Sequence, residues 1–95
     1  MKTVIQVYPR NDFKVYVYFD DGKIKLYDVA PLLGKGVFQK ISTINEFIEK
    51  CTVLNGTLAW DLGGNFDPFK CIDIDPESLY EKGQEVSDPL KKSVA

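Results

Sequence analysis

The chain has 95 residues, a formal net charge of −2, 44% hydrophobic residues, two cysteines and no histidine. That length suits one compact domain whose core needs neither a disulfide nor a structural metal. The charge argues against a general duplex-DNA binder, which needs many phosphate-neutralising cations on one face, and no apolar run suggests a signal peptide or membrane span, so a cytoplasmic protein with reduced thiols is expected.

Thr3-Val4-Ile5-Gln6-Val7-Tyr8 is rich in β-branched and aromatic residues and predicts a first strand, ended by the turn chemistry of Pro9-Arg10-Asn11-Asp12. From Phe13 to Val29 the alternation predicts a β-hairpin, antiparallel to that strand. Its Asp21-Gly22 dipeptide suits a two-residue type I′ turn, in which both central positions need positive φ. Counting outward from Asp20 and Lys23 sets Phe19 opposite Ile24, Val17 opposite Leu26 and Val15 opposite Asp28 on the core face. The other face then carries Tyr18 opposite Lys25, Tyr16 opposite Tyr27 and Lys14 opposite Val29.

Residues 30–36 break the pattern, and Val37, Phe38 and Ile41 are spaced for one side of a short helical turn. Thr43-Ile44-Asn45-Glu46 has capping-box spacing, so the main helix starts there, with Ile44, Phe47, Ile48 and Cys51 as its apolar stripe. Asn55-Gly56 predicts a second type I′ hairpin that sets Val53 opposite Leu58 and Cys51 opposite Trp60. Residues 61–68 read as a loop, residues 71–74 as a short strand, and Asp75-Pro76-Glu77 as the start of a C-terminal helical turn anchored by Leu79 and Tyr80. The expected fold is α+β: an antiparallel sheet of two hairpins plus an N-terminal strand, with one main helix packed on one face. Residues 1–81 form the domain and residues 82–95 a mobile polar tail. Phe13, Val15, Val17, Phe19, Ile24, Leu26, Phe47, Ile48 and Leu58 are expected in the core.

The sequence offers little for catalysis. It has no His to act as a base and no thiol or hydroxyl beside one, and Gly34-Lys35-Gly36 lacks the rest of a phosphate-binding loop. No enzyme and no cofactor are therefore expected. Asp61, Asn65, Asp67, Asp73 and Asp75, on the 61–75 acidic loop, carry hard oxygen ligands for a divalent metal or a small ligand, but their spacing is not that of an EF-hand, and a solvated loop ending in a helix cap explains them as well. Cys51 and Cys71 read as two small buried hydrophobes, with a facultative disulfide as the alternative. Residues 61–95 hold eight acidic and four basic side chains, which suits a basic protein partner or simply a solvated face. The candidate partner-binding residues are Tyr16, Tyr18, Lys25, Tyr27 and Trp60, whose indole N–H needs an acceptor. They suit a protein partner or a second copy of the chain. The alternatives are a stacking platform for single-stranded nucleic acid and ordinary cross-strand pairing.

Several short stretches occur in one order: Phe19-Asp20-Asp21-Gly22, Tyr27-Asp28, Pro31-Leu32-Leu33, Gly36-Val37-Phe38, Phe47, Trp60-Asp61 and Ile74-Asp75-Pro76-Glu77-Ser78-Leu79-Tyr80. Together they resemble the DUF2442 family, a small bacterial domain of unknown function, over about residues 3–81. The resemblance implies a small α+β cytosolic domain with no established activity and no catalytic residues to carry over. It also implies genes neighbouring those of toxin–antitoxin type. Some members are fused to helix-turn-helix segments, for which this chain has no room, so the resemblance gives no support for operator binding.

Overall fold

The computed structural model describes residues 2–65 and 67–90. Along the chain lie β1 (Val4–Pro9), β2 (Lys14–Phe19), β3 (Ile24–Asp28), α1 (Ile44–Lys50), β4 (Cys51–Leu54), β5 (Thr57–Asp61), β6 (Cys71–Asp73), α2 (Pro76–Lys82) and β7 (Gln84–Glu85). Short 3₁₀ segments cover Ala30–Leu32, Gly36–Ile41 and Pro68–Lys70. The fold is α+β with antiparallel pairing, as expected. The strands nevertheless divide into two sheets, ordered β1-β2-β3-β7 and β4-β5-β6, where the sequence suggested one. The β4–β5 hairpin touches β1 at its turn, where the Val4 N–H donates to the Gly56 carbonyl at 2.8 Å.

Local chemistry explains most element boundaries. Asn55 (φ 52°) and Gly56 (φ 73°) both adopt the left-handed conformation of a type I′ turn, and Val53 pairs with Leu58 and Cys51 with Trp60 as predicted. The Thr43 hydroxyl accepts from the Glu46 N–H and starts α1. Glu46 also pairs with Lys50 one turn on, at 2.8 Å. Asp75 caps α2 by accepting from the Ser78 N–H at 3.2 Å, with Pro76 in the first turn.

Val15, Val17 and Phe19 of β2, Leu58 and Trp60 of β5, Phe47 of α1 and Leu79 of α2 meet in one buried cluster. Phe47 lies at its centre, with its ring centroid 5.6 Å from Trp60 and 5.1 Å from Phe13. The Trp60 indole N–H donates to the Phe47 carbonyl at 3.0 Å. That carbonyl belongs to the last turn of α1, where helical carbonyls lack intrahelical partners, so Trp60 serves as a side-chain cap. Phe13 has φ 64°, uncommon for so bulky a residue. Its ring is held edge-on against Phe47, and its carbonyl accepts from the Val29 N–H at 3.0 Å.

The first hairpin corrects the expected register by one residue. Tyr18 pairs with Ile24, Val17 with Lys25, Tyr16 with Leu26, Val15 with Tyr27 and Lys14 with Asp28. The loop has three residues, because the Phe19 N–H donates to the Lys23 carbonyl, and within it Gly22 alone has positive φ, at 89°. An Asp-Gly pair serves such a loop as readily as the two-residue type, since only the final position must be left-handed. The slip leaves β2 as predicted and exchanges the faces of β3: Lys25 and Tyr27 lie on the core side, while Ile24 and Leu26 lie half-buried on the other.

Other expectations need smaller corrections. Ile48 is 40% exposed because α1 is only seven residues long and packs through Phe47. Phe13 is half-buried, packed against the core from the β1–β2 turn. The expected boundary at residue 81 falls inside α2, and β7 then pairs with β3 through Lys25 opposite Glu85 and Leu26 opposite Gln84. Residues 91–95 of the expected tail lie outside the described residues. Cys51 and Cys71 are both free thiols. They stand on strands flanking β5, opposite Trp60 and Asp61 respectively, about two strand spacings apart and too far for a disulfide.

Candidate functional site

The face of the first sheet turned away from the core is built by cross-strand neighbours. Tyr8 lies opposite Tyr16 and Tyr16 opposite Leu26, while Gln6 lies opposite Tyr18 and Tyr18 opposite Ile24. The Tyr8 and Tyr16 rings stack with centroids 5.9 Å apart and planes 18° apart. Arg10, in the turn after β1, places its guanidinium 5.6 Å from the Tyr16 ring centre and donates to the Tyr16 hydroxyl at 3.3 Å. Its other nitrogen pairs with Asp12 at 2.8 Å. The stack is therefore oriented by a cation that is itself oriented by a carboxylate. Tyr8 is 43% exposed.

The five residues singled out by sequence are only partly brought together. Tyr16 is half-buried and stacks with the exposed Tyr8. Tyr18 shares its face but is buried, its hydroxyl donating to Asp88 at 2.7 Å. Burial, reinforced by the Asp88 carboxylate, pushes its phenol well above the usual tyrosine range. Tyr27 faces the core, and burial raises its pKa as well. Lys25, also on that side, sets its ammonium 4.7 Å from the Tyr80 ring centre and 3.8 Å from Glu85. Trp60 is fully buried with its N–H satisfied, so it serves the core and not a surface. Tyr8 and Arg10 complete the exposed cluster, although sequence reasoning did not choose them. Extending the register of β1 against β2 across the Asn11-Asp12-Phe13 turn would have placed Tyr8 beside Tyr16.

Residues 83–88 finish this face. Gly83 crosses so close to β3 that a side chain there would meet the Leu79 carbonyl and the Lys25 side chain at 2.7 Å. Beyond it, Glu85 pairs with Lys23 at 3.2 Å, the Val86 N–H donates to the Ile24 carbonyl, and Asp88 reaches Tyr18. The segment expected to be a tail thus covers Tyr18 and leaves Tyr8 exposed and Tyr16 half-buried.

Asp61, Asp67 and Asp75 of the 61–75 segment are engaged structurally, while Asp73 is exposed on β6. Asp61 accepts from the Gly64 N–H at 3.0 Å and lies 3.7 Å from the Cys71 thiol, Asp67 caps the Pro68–Lys70 turn through the Phe69 N–H, and Asp75 caps α2. Among the described residues no group of three or more His, Cys, Asp or Glu side chains is placed to hold a metal. Burial pushes the Cys51 thiol up to about 12, and burial together with Asp61 raises that of Cys71. No helix among the described residues is long and apolar enough to cross a membrane.

No curated protein and no solved structure matches the chain. The chain belongs to the family described as protein of unknown function (DUF2442), whose model matches residues 4–85 and so takes in β7.

Proposed function

We propose that this domain is a non-enzymatic protein-interaction module that engages a protein partner or a second copy of itself through the Tyr8–Tyr16 face. The observation that supports this reading is the tyrosine stack held by Arg10, with Tyr8 exposed and Tyr16 half-buried. Tyr and Arg are the residue types that concentrate interface energy, and a stack whose rotamers are already fixed loses little entropy on binding. The thiols support binding over catalysis, because a nucleophilic cysteine needs a lowered pKa and both here are raised. A bacterial cytosolic setting beside toxin–antitoxin-type genes would make the product of a neighbouring gene the first partner to test.

The test is light scattering on the purified chain over a concentration series, alone and co-expressed with the products of adjacent genes. Wild type should form a dimer or a defined complex. Tyr8→Ser with Tyr16→Ser should abolish it while far-UV circular dichroism stays unchanged. A second reading comes from the same stack and cation, which also suit single-stranded nucleic acid. Oligonucleotide binding that weakens as salt rises from about 50 to 200 mM and is lost in the same variant would favour it. A monomer without partner or oligonucleotide would refute both.

A further inference from the structure

A groove of about 400 Å³, sharing no residue with the Tyr8–Tyr16 face, runs between the Gly36–Ile41 and Pro68–Lys70 turns. Val37, Leu62, Phe69 and Ile72 provide its apolar surface and Lys40 and Lys70 its polar rim. Phe69 is 97% exposed and Val37 56% exposed. Phe69 is the most exposed large hydrophobic side chain among the described residues.

Its position is fixed by hydrogen bonds. Asp67 accepts from the Phe69 N–H at 3.0 Å, the Lys70 N–H donates to the Asp67 carbonyl at 2.9 Å, and the Leu62 N–H donates to the Lys70 carbonyl at 3.0 Å. The Cys71 thiol also donates to the Asp67 carbonyl, at 3.1 Å. The turn therefore presents Phe69 outward from a tethered backbone, which is the preorganisation an anchor needs. The charged residues that line it are Lys40 and Lys70. No carboxylate lines the groove, and among the described residues neither Lys40 nor Lys70 is ion-paired. Asp61 accepts from the Gly64 N–H and lies 3.7 Å from the Cys71 thiol, and Asp67 accepts from the Phe69 N–H.

We propose that this groove docks an acidic peptide segment of a protein partner, one that brings an aromatic or large aliphatic side chain flanked by carboxylates. The apolar side chain packs against Phe69 and Val37 while the carboxylates meet Lys40 and Lys70. Two cations on an otherwise acidic chain select against basic and neutral segments. This surface is separate from the Tyr8–Tyr16 face, so the two readings stand or fall independently.

The test uses a display library of random dodecamer peptides panned against the full chain, followed by fluorescence anisotropy with the enriched sequences. Enriched peptides should combine a Phe, Trp or Leu with neighbouring Asp or Glu. Their affinity should fall at least about tenfold in Phe69→Ala and in Lys40→Glu with Lys70→Glu, and should weaken with salt. Tyr8→Ser with Tyr16→Ser should leave it unchanged. Phe69 contributes nothing to the core, so circular dichroism should show its variant folded. Absence of enrichment, enrichment of basic or uncharged peptides, or binding indifferent to Phe69→Ala would overturn the proposal. A Phe69-dependent dimer of the chain alone would overturn it too, by placing a second copy in the groove.

Discussion

Trp60→Phe tests whether the indole joins the second sheet to α1 as described. The substitution keeps an aromatic ring but removes the N–H that donates to the Phe47 carbonyl, at a site with no solvent exposure. A buried carbonyl left without its donor costs about 1–3 kcal/mol. The smaller ring leaves a void whose cost is a fraction of the 3–5 kcal/mol typical of full truncation to Ala, here about 1–2 kcal/mol. Together these give about 2–5 kcal/mol, a large share of the roughly 5–15 kcal/mol that holds a domain of this kind folded. Urea unfolding followed by far-UV circular dichroism measures the loss, since the change removes the chain's single Trp fluorophore. The midpoint should fall without a change in m, because the surface exposed on unfolding is nearly the same. In a thermal melt each kcal/mol should appear as about 4–8 °C. A loss under about 1 kcal/mol would refute the capping role and mean that water or another donor reaches the Phe47 carbonyl.

Two further outcomes follow from the first sheet. Val17→Ala, at a site with no exposure, should cost about 1–3 kcal/mol in the same urea assay, and a change within about 0.5 kcal/mol would overturn the assignment of the inner face of β2. Asp21 accepts from the Tyr80 hydroxyl at 2.7 Å and from the Lys23 N–H, and these bonds, the Tyr80 one foremost, hold its carboxyl below the usual Asp value of 3.8. A carboxyl with a lowered folded pKa adds stability that is fully present above its unfolded value and is lost as pH falls through the folded one. Thermal melts of Asp21→Asn against wild type should therefore differ near neutral pH and converge on acidification. A difference that persists unchanged into acid would show that charge on Asp21 plays no part.

What could be read from the sequence was what depends on neighbours along the chain. Asn55-Gly56 names its own turn, Thr43 and Asp75 name the starts of their helices, and the alternation of Val15, Val17 and Phe19 names the buried side of β2. Asp21-Gly22 was ambiguous for the same local reason, because the dipeptide suits two loops that differ by one residue, and the choice decides which way every side chain of β3 points. Only tertiary contacts make that choice. Tyr80 is drawn to Asp21, and Lys25 sits over the Tyr80 ring. The candidate site followed suit. Tyr16 was legible as a surface aromatic, but burial of Tyr18 depends on Asp88, seventy positions away, and Phe69 belongs to a turn with no periodicity to mark its exposure.

The strained backbone of Phe13 should make the first turn of the chain a late event in folding. Its left-handed backbone costs about 1–2 kcal/mol, and the ring contact that offsets this strain comes from Phe47 on a helix that leaves the ribosome well after the turn itself. A peptide holding β1, the turn and β2 alone would relax Phe13 out of that conformation and fray at its closed end. In the whole chain, closure of this loop waits for the helix to dock, so a mutation at Phe13 should act mainly on the unfolding rate and give a low kinetic φ-value. The β4–β5 hairpin, whose Asn-Gly turn needs nothing distant, is free to order first.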